Sequence, residues 1–233
     1  MTTVVILQPN YVPWIGYFDL MSRADVWVWY DDVQYTKNDW RNRNVVLVSG
    51  QPRWLTIPVR SRHLFGQPVC DVEINYATEW PRKHLRTVEQ AYADQPHVRG
   101  ATEVLSRSLD RHHRLLADLT IELSEAIASR LELGTSFVRS STLHGIQDER
   151  QERLIQICGR LGADTYLSGP AARSYIEPNR FTRRGIRVMY MTYDYPSGPV
   201  RPEGHNVSIL DTLARLGDAG TRDQLGRSQV VGA

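Results

Sequence analysis

The sequence predicts an α/β fold, a doubly wound, Rossmann-like and mostly parallel sheet that carries an inserted β-hairpin and a helical region. Three observations lead there. Short apolar, β-branched runs alternate with amphipathic stretches near both ends of the chain. A middle stretch abandons that alternation. The length, 233 residues, suits one domain with a large core and room for a substantial insertion.

The elements follow in order. Thr3 to Leu7 is continuously apolar, as a buried strand is. Trp14 to Arg23 reads as a short helix with Ile15, Phe18 and Met21 on one side. In "ADVWVWYDDVQY", Val26, Val28 and Tyr30 alternate with Trp27 and Trp29, so a second strand ends in Asp31-Asp32. The run "NVVLVSGQPRWLTIPV" reads as a hairpin turning at Ser-Gly-Gln-Pro, and "PVCDVEI" as a third β-like run. From Glu79 to about Leu133 the pattern is helical, with Leu115, Leu119, Leu123, Ile127 and Leu131 forming one stripe. The βα alternation then resumes. "SFVRSSTL", "DTYLSG" and "GIRVMYMTYDY" read as strands. "DERQERLIQICGRLG" is a helix with Gly162 as its C-terminal cap. "NVSILDTLARLG" is a last helix that Asn206 or Ser208 starts and Gly217 stops. The expected organisation is one domain over 1–217, with residues 44–133 as the insertion and 218–233 as a disordered tail.

Composition excludes several classes. A net charge of +2 is too small to argue for nucleic acid, and clusters such as Arg111-His112-His113-Arg114 suit solvated faces. The two cysteines, Cys70 and Cys158, make no Cys-x-x-Cys pair. His112 and His113 are adjacent and point apart on a helix, and His144 and His205 are isolated, so no metal is expected. No cofactor is expected either. No apolar run reaches the ~18 residues of a membrane span, and no signal peptide is recognisable. The expectation is a cytoplasmic protein with no membrane partner and no nucleic-acid partner; the sequence does not fix its oligomeric state.

In doubly wound sheets, ligands bind beyond the carboxyl ends of the strands. Those ends are Gln8-Pro9-Asn10-Tyr11, Asp31-Asp32-Val33-Gln34-Tyr35, Ser168-Gly169-Pro170 and Tyr193-Asp194-Tyr195. All four are polar or aromatic, and their convergence is the main signal for a site.

The stretch "QPNYVPWIGYFDLMSRADVWVWYDDVQYTKNDWRNRN" resembles the start of the WbqC-like family, as do "EWPRKHLRTVEQAY", "LGADTYLSG", "GIRVMYMTYDYP" and "SILDTLARLG". The likeness runs to about Gly217. It implies a bacterial protein of O-antigen or natural-product biosynthesis, with glycyl or related acyl transfer as its activity. By resemblance the site draws on Gln8, Pro9, Tyr11, Trp14, Gly16 and Tyr17. It also draws on Asp31, Asp32, Gln34, Tyr35, Trp40, Arg41, Asn42, Arg43 and Asn44. Lys83, His84, Tyr166, Ser168 and Gly169 complete it. One segment departs: "PVRPEGHNVSILD" lacks an expected Tyr-x-Gln. A weaker likeness joins "NYVPWIGYFDLM" to HIGH-type nucleotidyltransferases, with Trp14-Ile15-Gly16-Tyr17 where those enzymes carry His-x-Gly-His. There Gly16 would let the backbone pass close to a ligand.

Each candidate has a bland alternative. His84 reads as a proton shuttle or as a surface histidine beside Lys83 and Arg86. Asp31 or Asp32 would act as base or orient His84 while the other binds an amine; otherwise they pair with an arginine such as Arg41 or Arg43. Arg41 and Arg43, assisted by Lys37, would clamp a phosphate, a phosphopantetheine arm or a carboxylate, or else make ordinary ion pairs. Cys70 alternates with Val72 and Ile74, so a strand would bury it, and a structural cysteine is preferred to a nucleophile. Ser168 has no Gly-x-Ser-x-Gly elbow and reads as a ligand-binding hydroxyl. Asn10 and Asn42 add hydrogen-bonding groups, and Tyr11, Trp14, Tyr17, Tyr35 and Trp40 line a pocket or fill the core. The expected activity is metal-independent acyl transfer or cyclisation. Its donor is a small-molecule or carrier-protein-linked acyl group. Two readings stand as rivals: a HIGH-type nucleotide-dependent enzyme, and a non-catalytic subunit that holds a carrier or sugar nucleotide.

Overall fold

A computed structural model describes residues 1–62, 64–146, 149–195 and 207–233. Strand β1 (Thr3–Leu7), helix α1 (Ile15–Ser22) and strand β2 (Val26–Trp29) form the expected opening unit. Strands β3 (Arg43–Val48) and β4 (Gln51–Thr56) form the hairpin. Its two loop residues, Ser49 (φ 50°) and Gly50 (φ 75°), are both left-handed, as a type I′ turn requires. A two-residue ladder, β5 (Val59–Arg60) with β6 (Glu73–Ile74), follows. Helices α2 (Trp80–Ala91), α3 (Val98–Leu109) and α4 (Leu116–Arg130) come next. The chain then alternates through β7 (Ser136–Arg139), α5 (Arg150–Arg160), β8 (Thr165–Ser168), α6 (Pro178–Thr182), β9 (Arg187–Thr192), α7 (Ile209–Arg222) and β10 (Gln229–Gly232).

The central sheet has the order β10-β9-β8-β1-β2-β7 and is parallel except for β10. From β1 the chain winds outward through β2 to β7, then returns to β8 on the other side. The switch point therefore falls between β1 and β8, where doubly wound sheets open a crevice. Their ladder ends after Thr3–Thr165 and Val4–Tyr166, so the two strands are not paired at their carboxyl ends.

Alternation along the strands divides the core in two. Val5, Trp27 and Trp29 face α1, α4 and α7, while Val4, Ile6 and Val28 face α5 and α6. The leucine stripe is buried at Leu119, Leu123, Ile127 and Leu131. Gly162 (φ 66°) closes α5 as a left-handed cap, and the Ser208 hydroxyl accepts from Leu210 N–H to start α7. Asn206, the expected start of the "DERQERL" helix at Asp148, and the "PSGPVRPEGHN" segment lie outside the described residues.

Three local expectations change. Residues 218–233 are ordered: α7 continues to Arg222, and β10 pairs antiparallel with β9 along the sheet edge. Low hydropathy concealed them because an edge strand needs only its ladder and a few apolar contacts, here from Val230. Gly217 (φ 67°, ψ −174°) breaks the regular helix as expected, yet the chain resumes helical geometry beyond it. "PVCDVEI" is a 3₁₀ turn over Val69–Asp71 followed by the two residues of β6. Val69 and Val72 are buried, while Cys70 is only half-buried.

Deleting residues 227–233 should lower the melting midpoint by about 5 °C, through loss of about 2 kcal/mol of edge pairing and packing. An unchanged melting curve would show that β10 contributes nothing to stability.

Candidate functional site

The first loop leaves β1 at Gln8 and turns inward at Tyr11. Val12 then takes φ 37° although it is β-branched and fully buried. Such a residue costs on the order of 1–3 kcal/mol and persists only where its surroundings over-determine it. They do so here. Tyr11 N–H donates to the Trp40 carbonyl (2.9 Å), Asn44 Nδ2 donates to the Tyr11 carbonyl (3.0 Å), and Ile209 N–H donates to the Pro13 carbonyl (2.8 Å). The Tyr11 hydroxyl meets His84 Nδ1 at 3.0 Å.

The turn that follows is not a phosphate cradle. The six-membered ring of Trp14 lies where a Cβ on Gly16 would stand. Gly16 is thus needed by the Trp14 indole, and not by a passing ligand as its place in the turn suggested. The same ring packs edge-on against Tyr193 (4.7 Å) and Tyr195 (5.8 Å), and the Tyr195 hydroxyl donates to buried Asp19 (2.7 Å). Trp14 is therefore packed against the core rather than open to a ligand.

His84 is on the inner face of α2 and only 7% exposed. Its ring also hydrogen-bonds the Thr56 backbone, which leaves Nδ1 to accept from the Tyr11 hydroxyl. Burial lowers its pKa to about 4, with the Thr56 bond opposing, so the ring is neutral near pH 7. Trp80 packs edge-on against it at 5.1 Å, and Lys83 points outward to solvent.

His84 bonds neither aspartate. Asp31 is wholly buried and accepts from Arg139 Nε (2.6 Å), Ser141 N–H (3.0 Å), Ser141 Oγ (2.9 Å) and Ser140 Oγ (3.2 Å). Arg139 also reaches Asp118 (2.7 Å). Asp32 pairs with Arg153 and accepts from Ser140. The acidic pair therefore has arginine partners from β7 and α5, not Arg41 or Arg43. It ties the end of β2 to the end of β7. Cys70 N–H donates to the Asp31 carbonyl (2.7 Å), and burial together with the nearby Asp71, Asp31 and Asp32 raises the Cys70 thiol to about 11. That opposes thiolate formation, against a nucleophilic role.

A second cluster gathers the remaining residues. Arg41 Nη1 donates to Asn10 Oδ1 (2.8 Å), and its Nη2 pairs with Asp39 (3.3 Å). The Tyr17 hydroxyl donates to the Gln8 carbonyl (2.9 Å). Arg43 lies over the Trp54 ring at 4.3 Å, and Trp54 packs against Trp40. Burial raises Tyr35 to about 12, with Asp39 adding to the shift and Arg41 and Arg43 opposing it. In this cluster Gln8 Oε1, Tyr35 Oη, Arg41 Nε, Asn42 Oδ1 and Arg43 Nε are buried with no hydrogen-bond partner. Such atoms are rare in folded proteins, and of eleven among the described residues five gather here, which makes this cluster the candidate site. Beside them opens a cleft of about 520 Å³, lined by Tyr35, Lys37, Asn38, Asn42, Thr56 to Val59, Ser61 and Arg62.

The structure thus groups Gln8, Asn10, Tyr11, Tyr17, Tyr35, Lys37, Arg41, Asn42 and Arg43 around the first loop and the hairpin root. A family model described as the WbqC-like protein family matches residues 8–223. The chain belongs to the WbqC-like family. A protein of Mycobacterium tuberculosis (strain ATCC 25618 / H37Rv) described as "Uncharacterized protein Rv1507c" is 38% identical over 224 residues, spanning 93% of this chain and 95% of that one. No solved structure matches the chain.

Other expected residues of this WbqC-like protein lie elsewhere. Gln34 is exposed and bridges by its backbone to Pro68. Ser168 is buried at the end of β8, where Tyr166 donates to it (3.4 Å). Sequence reasoning missed the wall from Thr56 to Arg62, and it missed Arg139, Ser140 and Ser141. The rule that drew attention to four strand ends applied equally to the Arg-Ser-Ser at the end of β7. Among the described residues no group of three His, Cys, Asp or Glu side chains could hold a metal ion, and no helix is long and apolar enough to cross a membrane.

Asp31→Asn should destabilise the fold by about 3 kcal/mol in urea unfolding, since it leaves Arg139 without its buried partner. Stability equal to the parent would mean that the β2–β7 tie is not electrostatic.

Proposed function

We infer that this WbqC-like protein is a biosynthetic acyl transferase. An amine or hydroxyl of a sugar- or carrier-linked intermediate attacks an activated acyl donor such as a thioester. A C–N or C–O bond forms, the C–S bond breaks, and the nucleophile's proton leaves with the thiolate. The activity is the one that the family resemblance implies. The observation that supports a site for it is the set of orphaned polar atoms at Gln8, Tyr35, Arg41, Asn42 and Arg43, of which Tyr35 and Asn42 line the cleft.

In this reading Arg41, Arg43 and Lys37 hold an anionic part of the donor. Tyr35 donates to a carbonyl oxygen and Asn42 Oδ1 accepts an amide N–H. Thioester aminolysis gains most from orientation, because an unprotonated amine is already a competent nucleophile. His84, neutral and bonded to Tyr11, serves as a positioning residue for the first loop. The nucleotide-dependent alternative is weakened by the indole over Gly16, which fills the space a phosphate would take.

The test is a single-turnover assay with aminoacyl N-acetylcysteamine thioesters and amino-sugar acceptors. Tyr35→Phe and Arg41→Gln should each reduce kcat/KM by about 10-fold or more with little change in melting. Full activity in both variants would remove the cleft from the reaction.

A further inference from the structure

The charge of the chain is unevenly spread. Residues 36–68 carry six Lys or Arg against one acid, a net of +5, while the whole chain nets +2. The rest of the protein is therefore acidic, at −3. Apart from Tyr35, this basic segment lines the cleft, with Lys37, Asn38 and Asn42 from its start and Thr56 to Val59, Ser61 and Arg62 from its end. Its one acid, Asp39, is already paired with Arg41, and Arg60 lies 3.8 Å from Glu73 outside the segment, with its side chain still mostly exposed.

Beside the cleft the same segment exposes apolar side chains. Leu64 is 50% and Phe65 97% exposed. Leu64 N–H donates to the carbonyl of Ser61, a cleft residue, which holds the apolar turn at the mouth. Trp54 on β4 is also 40% exposed. Of the six exposed large hydrophobic side chains among the described residues, three lie in this one basic segment, the others being Met1, Tyr175 and Leu216. Inside the cleft, the orphaned Tyr35 hydroxyl and Asn42 Oδ1 ask for one acceptor and one donor. A ligand carrying an amide supplies both, as C=O and N–H. The volume of about 520 Å³ exceeds what an acyl group alone needs and suits an elongated arm.

We propose that this face docks an acidic carrier protein whose phosphopantetheine arm enters the cleft. The proposal rests on the acyl-transferase reading and names its donor. Phe65 and Leu64 bury against an apolar carrier face, and Lys37 and Arg60 face its carboxylates. The arm's amides meet Tyr35 and Asn42, and its phosphate stays near the basic rim. Charge complementarity favours such a partner over a neutral one. The cleft favours it over nucleic acid, which would need a charged surface but no slot for an amide-bearing arm.

The test is a binding titration of the full chain by biolayer interferometry. The probes are a bacterial fatty-acid acyl carrier protein in holo form, the same protein in apo form, and bulk tRNA. Holo-carrier should bind about tenfold or more tightly than apo-carrier. Phe65→Asp should weaken holo binding by about tenfold, and Lys37→Glu with Arg60→Glu should weaken it further and flatten its salt dependence. Tyr35→Phe with Asn42→Leu should abolish the preference for holo over apo. Equal binding of the two forms, indifference to Phe65→Asp, or tight tRNA binding with no carrier binding would each overturn the proposal. The readout needs no turnover. Thioester turnover without holo-selective binding would sink the docking proposal alone. Holo-selective binding without turnover would sink the transferase reading alone.

Discussion

The hydrogen bond between Tyr11 and His84 is the contact on which the rest of the site depends. It joins the first loop of the parallel sheet to a helix of the insertion, through two side chains that are almost fully buried. Val12 beside it is held in a conformation that a β-branched residue avoids, and only such tethers keep it there. With that turn fixed, Asn10 faces Arg41, Trp14 folds back over Gly16, and the hairpin root closes on the loop through Asn44 and Trp40. The cleft beside Tyr35 is a consequence of that arrangement.

Two electrostatic assemblies then divide the carboxyl edge of the sheet. At the β2–β7 end, carboxylates, arginines and serines bond one another, and the result is a strut. At the β1–hairpin end, arginine, tyrosine and amide groups are left short of partners. The same residue types thus do opposite things. Burial without partners is costly, and the fold tolerates it at the end nearest the switch point, where a ligand would complete the bonding.

Much of this is legible in the sequence because period and punctuation are local. The alternation of Val26, Val28 and Tyr30 with Trp27 and Trp29 sets the two faces of β2, and Gly162 marks a helix end. The strand-end rule points to the first loop from the polar and aromatic residues that follow Leu7. Long-range pairing is what cannot be read this way. Nothing local distinguishes Arg41, which caps Asn10, from Arg139, which neutralises Asp31 more than a hundred residues away. Cys70 misleads because a 3₁₀ turn and a strand can share one apolar pattern over three residues. The tail misleads because edge pairing leaves little trace in composition.

The most direct measurement is the imidazole titration of His84 by NMR, assigned against His84→Gln. A ring buried between Tyr11, Trp80 and the Thr56 backbone resists protonation, so its pKa lies below the ordinary value near 6.5, at about 4. The account therefore predicts a neutral ring throughout the range from about pH 8 down to about pH 5, with Nδ1 as the unprotonated nitrogen. A midpoint between about pH 6 and 7, the ordinary range for histidine, would show a solvent-accessible ring free to shuttle protons. That result would contradict the Tyr11–His84 tether as the constraint that shapes the site.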